Sequence, residues 1–181
     1  GYTIDLRIDV KERWYIFPLP YVRPVDRNFT AWADQHYSLK RFDYGLKYSH
    51  YNFTGRNDFL RIWLITGYTR EVELAYDQPY TGKQLKHGFG GGFKYAGQKE
   101  LNVITTDNKQ VFLNRDSLGY AGRNLREQLN FSFRYYYRPG LRTRHYIKFS
   151  FNHLKIDSAV LNYNPDYFLN SKRIISYTAR G

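Results

Sequence analysis

The chain has 181 residues, long enough for one domain, and its 42% apolar content rests heavily on 19 Tyr and 13 Phe, residues that favour strands and membrane interfaces over compact helical cores. Lys and Arg number 28 against 16 acids, a net charge of +12. No window approaches the roughly 18 uninterrupted apolar residues of a membrane helix, and the absence of Cys excludes disulfides and thiolate metal sites.

In chain order, Tyr2 to Glu12 alternates Ile4, Leu6, Ile8 and Val10 against Asp5, Arg7, Asp9 and Lys11, which predicts a half-buried strand of a small soluble domain. The next stretch, Arg13 to Tyr21, is apolar on both parities and interrupted by proline. Proline has no N–H for a ladder, so this segment is strand only at an edge. Pro18, Pro20 and Pro24 share one parity. In an extended chain their missing donors lie along one side, and one edge of the strand cannot pair fully. Asp26 to Lys40 reads as a polar loop with room for a short helix.

Strands are predicted at Arg41–Phe53, Asp58–Tyr68, Arg70–Gln78 and Leu85–Gly97, with turn chemistry at Thr54-Gly55-Arg56-Asn57 and Pro79-Tyr80-Thr81-Gly82. A short strand at Leu101–Thr105 precedes the turn-like Asp107-Asn108-Lys109. The clearest alternation runs from Asn124 to Tyr137. There Asn124, Arg126, Gln128, Asn130, Ser132 and Arg134 take one parity, and Leu125, Leu129, Phe131, Phe133, Tyr135 and Tyr137 the other. After a tight hairpin at Arg138-Pro139-Gly140, the strand Leu141–His153 repeats it, with Arg142, Arg144, Lys148, Ser150 and Asn152 opposite Thr143, His145, Ile147, Phe149 and Phe151. Lys155 to Lys172 reads as a long loop and Arg173 to Arg180 as a last strand.

Successive polar-in, aromatic-out strands are the signature of an antiparallel transmembrane β-barrel, in which Leu129, Phe131, Phe133, Ile147, Phe149 and Phe151 face lipid while Arg126, Gln128, Arg144 and Lys148 face the lumen or another protein. A mean hydropathy of -0.68 does not argue against this, because every second barrel residue faces the lumen. The positive charge would suit nucleic acid, but the basic residues are spread through strands and turns, which favours a polar lumen and charged rims over a nucleic-acid stripe. The chain has no Met and opens directly on a strand pattern without a signal peptide, so it reads as a processed or truncated piece whose export signal, if it had one, lies outside these residues.

Candidate chemistry is sparse. Glu71, Glu73 and Asp77 share a strand face, about 6 to 7 Å apart at alternate positions, a spacing near that of glycosidase carboxylates; the plainer reading is a lumen-facing acidic row. Gly88-Phe89-Gly90-Gly91-Gly92-Phe93 lacks the ending and context of a phosphate loop, and its glycines on one face read as a barrel bend. The five His residues give no metal spacing, and no nucleophile turn of the G-x-S-x-G kind occurs.

The order of segments resembles the BamA/TamA superfamily of outer-membrane insertases. In that family a terminal POTRA strand ending in a V-K-E-R-like run passes directly into the barrel, as Asp9-Val10-Lys11-Glu12-Arg13 does here. Asn52-Phe53-Thr54-Gly55-Arg56-Asn57 is similar to the family's turn between early barrel strands, and Leu74-Ala75-Tyr76-Asp77-Gln78-Pro79-Tyr80 to its strand end before a proline. The resemblance implies a barrel of about sixteen strands preceded by POTRA domains. Residues 1–13 would then be the end of a POTRA domain and 14–181 the N-terminal part of the barrel. The family's R-G-F loop motif is not found, and Tyr177 to Gly181 is not an aromatic terminal strand. The implied mechanism needs no cofactor, metal or catalytic residue: the barrel opens between its first and last strands, and an unfolded client barrel protein pairs with the exposed edge. Trp14, Tyr15, Phe17, Pro18, Pro20 and Tyr21 would form the gate strand, with Trp14, Tyr15 and Tyr21 as interfacial anchors, in contact with outer-membrane lipids and accessory assembly subunits. Two other classes remain: a soluble β-sandwich binding acidic polymers, and an outer-membrane barrel enzyme acting on lipid.

Overall fold

The computed structural model describes residues 4–25, 42–106, 109–119, 124–140, 142–168 and 173–180. The strands are β1 (Ile16–Pro24), β2 (Phe42–Tyr51), β3 (Phe59–Gly67), β4 (Thr69–Thr81), β5 (His87–Gln98), β6 (Glu100–Thr106), β7 (Lys109–Asn114), β8 (Arg126–Tyr137), β9 (His145–Ile156) and β10 (Arg173–Arg180). Eight of them form one antiparallel sheet in the order β1-β2-β3-β4-β5-β8-β9-β10, while β6 and β7 make a separate hairpin between β5 and β8. β1 and β10 are the two edges of the sheet.

The strand alternation thus finds its ladders from β2 to β5 and from β8 to β10. β9 starts later than expected: its register begins with His145 opposite Tyr137, and the Arg138 N–H donates instead to the Lys86 carbonyl beside β5 at 2.7 Å. Arg142 and Arg144 are therefore turn residues and not part of a strand face. A larger difference lies at the N-terminus. Residues 4–15 carry no strand and are exposed, although Ile4 to Lys11 alternates well. Alternation makes a strand only where a second strand completes its hydrogen bonds, and among the described residues none lies beside it. The loop expected over Asp26 to Lys40 lies outside the described residues.

All connections at one end of the sheet are short: 52–58, 82–86 and 138–144. This is the turn end. At the opposite, loop end, β3 and β4 meet in a tight turn at Tyr68, but residues 99–125 and 157–172 form long excursions. Within these, α1 (Ser158–Tyr163), whose first turn is capped by Asp157 accepting from the Ala159 N–H at 2.9 Å, packs with the β6–β7 hairpin around buried Leu101, Leu113, Leu125 and Val160. Neither β7 nor α1 was expected, since each is too short to show a period.

The Tyr68 turn rests on one buried acid. Asp43, 1% exposed, accepts from the Thr69 N–H at 2.7 Å and pairs with Arg23 at 2.9 Å. Gly67, at φ 114°, sits so close to β2 that a Cβ would lie 2.1 Å from the Phe42 carbonyl oxygen, so only glycine fits.

Candidate functional site

Cross-strand partners share a face, so the register sorts every strand residue. Leu129, Phe131 and Phe133 of β8 stand opposite His153, Phe151 and Phe149 of β9, and opposite Tyr95, Phe93 and Gly91 of β5. The same face continues through Leu74 and Val72 of β4, Ile62 and Leu64 of β3, and Leu46 of β2. Phe93, Phe131, Phe151 and Tyr177 form a ring-to-ring ladder across four strands, with centroids 5.2 to 6.4 Å apart. All six residues expected to face lipid, including Ile147, lie on this face. It is also the open one, with Phe131 46% and Phe149 54% exposed.

The opposite face is polar and more enclosed. Arg61 pairs with Glu73 at 3.1 Å, Lys94 with Glu71 at 2.9 Å, and Arg134 with Asp77 at 2.7 Å. The three carboxylates of the acidic row are thus each held by a cation, Glu73 and Glu71 from the adjacent strands β3 and β5 and Asp77 from β8 across Gly90 of β5, which leaves no free acid–base pair there. Lys47 lies 4.0 Å from the centroid of the Tyr21 ring and 4.2 Å from that of Trp63. Gly90 makes room for the Asp77–Arg134 pair, since a Cβ there would fall 2.0 Å from Asp77 Oδ1. Gln128, Arg134 and Lys148 share this face, as does Arg126. The polar face is concave. Phe17 of β1, Asp77 of β4 and Tyr136 of β8 line one cavity of about 910 Å³ at the turn end. In a flat sheet, β1 and β8 would stand about 24 Å apart.

The edge strand β1 shows where its prolines act. The Tyr51 N–H donates to the Tyr15 carbonyl at 2.9 Å. In an antiparallel ladder hydrogen-bonded pairs alternate, so Phe17, Leu19, Tyr21 and Arg23 turn their backbone groups toward β2. Ile16, Pro18, Pro20, Val22 and Pro24 turn theirs to the free edge. That edge offers five carbonyls but only the N–H groups of Ile16 and Val22. Trp14 and Tyr15 precede the strand, although the Tyr15 carbonyl extends the ladder and the Trp14 indole N–H donates to the Ile16 carbonyl. Phe17 and Tyr21 point their rings to the concave face, Pro18 and Pro20 to the apolar one.

The segment Asn52 to Asn57 is a turn, as its sequence predicts. Asn52 and Asn57 both adopt φ 57° and Gly55 φ 82°. Asp58, 2% exposed, closes the turn by accepting from the Thr54 N–H at 2.9 Å and from the Tyr76 hydroxyl at 2.8 Å. Burial alone would raise the Asp58 carboxyl; these donors outweigh it and hold it below the usual carboxylate range. At the loop end, burial together with Arg70 and Arg115 lowers the Lys99 ammonium, which donates to the Gly67 carbonyl at 2.6 Å. Among the described residues no His, Cys, Asp or Glu cluster could hold a metal ion. What sequence reasoning missed is the set of groups that close the turns, Asp43 and Asp58, since nothing local marks an acid that will accept from Thr69 or Tyr76, 26 and 18 residues away.

The chain matches no known protein-family profile, no curated protein and no solved structure. The fold and site define a curled, open-edged antiparallel meander with an apolar convex face and an ion-paired concave face.

Proposed function

We propose that this chain is the N-terminal part of a bacterial outer-membrane β-barrel, entered from a POTRA domain ending near residue 13, that assembles client barrel proteins into the membrane by opening at β1. One observation carries the reading. The sheet is inside-out for a protein in water: a continuous ladder of Phe and aliphatic side chains lies on the open face, while the ion pairs Arg61–Glu73, Lys94–Glu71 and Arg134–Asp77 lie on the enclosed one. A soluble sheet buries the first and solvates the second; a membrane barrel does the reverse. The short-turn end, next to residues 4–15, would lie on the periplasmic side and the excursions outside. The donor-poor edge of β1 is where the barrel would part, and an incoming strand would add there through its own N–H groups. No bond is made or broken, so the protein is not an enzyme, and its partners are membrane lipids, unfolded barrel chains and accessory subunits.

The test is labelling of single-Cys variants in the membrane with a water-soluble maleimide. Cys at 129, 131, 133, 147, 149 or 151 should be protected, and Cys at 128, 134 or 148 should react. Equal labelling of both sets would refute the barrel. Reaction of the first set in detergent-free solution would instead support the soluble sandwich that binds acidic polymers.

A further inference from the structure

The turn end carries a concentration of positive charge that the insertion reading does not use. β5 pairs with β8, so the 82–86 and 138–144 connections are neighbours. Together they hold Lys83, Lys86, Arg138, Arg142 and Arg144, all but Arg138 well exposed. The sequence has no acid from Pro79 to Lys99 or from Gln128 to Ile156. Two of the cations are built in. Arg138 lies 5.4 Å from the centroid of the Tyr80 ring and Arg144 5.5 Å from it, and Arg144 also donates to the Tyr80 hydroxyl. The nearby carboxylates are occupied, Asp58 by Thr54 and Tyr76, and Asp77 by Arg134 and Tyr136. A rim cavity of about 950 Å³ opens here, lined by Arg56, Lys83 and Arg138 and by the apolar surfaces of Tyr15, Tyr80 and Leu85.

The apolar face ends at the same turns in a polar-tipped aromatic belt. His87 Nδ1 and the Tyr135 hydroxyl are 2.7 Å apart, the His87 and Tyr137 rings are 5.4 Å apart, and Tyr137 stacks with His145 at 6.5 Å. Rings with an apolar body and a polar tip belong at the boundary between acyl chains and head groups. Cations one turn beyond them stand at the depth of lipid phosphates.

We infer that this rim is a binding site for the head group of an anionic phospholipid, with Lys83, Lys86 and Arg142 taking the phosphate and the Tyr80 cavity receiving the adjoining glycerol region. The site rests on the membrane reading, and the experiment separates the two. The whole protein is reconstituted into vesicles of phosphatidylcholine, alone or mixed with phosphatidylglycerol. It is then exchanged into neutral detergent, and the lipid that stays bound is measured by mass spectrometry. The wild type should retain phosphatidylglycerol in preference to phosphatidylcholine, less so in high salt. Lys83→Gln/Lys86→Gln/Arg142→Gln should lose about tenfold or more of that preference, at roughly 1 kcal/mol per cation. Arg70→Gln/Lys155→Gln/Arg173→Gln, which removes the same charge at the loop end, should keep it. Insertion into both vesicle types without a lipid preference, or a preference unchanged in the first variant, overturns the site but leaves the barrel standing. Failure to insert into either vesicle overturns both. Capture of polyglutamate by the wild type, lost in the first variant and without lipid selectivity, would assign the rim to an acidic polypeptide and overturn the proposal.

Discussion

Replacing Pro18 and Pro20 together by Thr should close the free edge of β1 more firmly. Both residues point their backbone groups away from β2, so the exchange leaves the β1–β2 ladder untouched and adds two donors where a closing strand would pair. Each bond is worth about 0.5 to 1.5 kcal/mol net, so the seam should gain about 1 to 3 kcal/mol, roughly a five- to hundredfold shift against opening. Proline also restricts the unfolded chain, and losing two of them costs about 0.4 to 1 kcal/mol each in global stability. That offset does not enter the opening equilibrium, which takes place within the folded protein. The assay is insertion of a model client into liposomes by the full protein and its double variant, with folding checked by heat-modifiable mobility. Insertion should slow. Unchanged or faster insertion by a folded variant would refute the reasoning and leave the prolines with no role beyond shaping the entry from the preceding segment.

Asp58 and the β5 glycines give further expected outcomes. Asp58 has a lowered folded-state pKa, so its contribution is present above the ordinary carboxylate range and is lost as the pH falls through the folded value. Thermal stability should therefore fall below about pH 4, and Asp58→Asn should be less stable by about 1 to 3 kcal/mol at neutral pH and lack that part of the acid dependence. Gly90→Ala should cost about 1 to 3 kcal/mol by driving a methyl into Asp77. Gly91→Ala, where a Cβ meets nothing within 4 Å, should change denaturant stability by no more than about 0.5 kcal/mol.

The sheet was legible because period-two alternation is a property of each strand alone. Phe131 against Ser132 states the two faces whatever the neighbours are, and the register then aligned those faces across all eight strands. Pro18 and Pro20 announced a weak edge, but which edge depends on the hydrogen bond between Tyr51 and Tyr15, a fact of pairing that no local pattern carries. The N-terminal segment failed for the converse reason. Ile4 to Val10 has the pattern of a strand and, among the described residues, no partner to complete it. β7 and α1 form through packing on Leu125 and Val160, residues distant from them or silent in a short window. The rim cations were visible singly; only the pairing of β5 with β8 gathers them.

The hairpin between β5 and β8 is closed at its base. Leu125 donates to the Gln98 carbonyl and Arg115 to that of Lys99, both at 2.9 Å, so the excursion leaves and rejoins the sheet through fixed bonds. Closing a loop costs entropy only logarithmically in its length, about 0.6 kcal/mol per doubling. Residues could therefore be added within this excursion at little entropic cost to the strands below, provided Leu101, Leu113 and Leu125 keep their packing. The opposite end has no such freedom, because Asn52, Gly55 and Asn57 hold left-handed backbone and Asp58 ties their turn to β4. One rim of the sheet is open to diversification of whatever it meets, while the other is committed to a single shape.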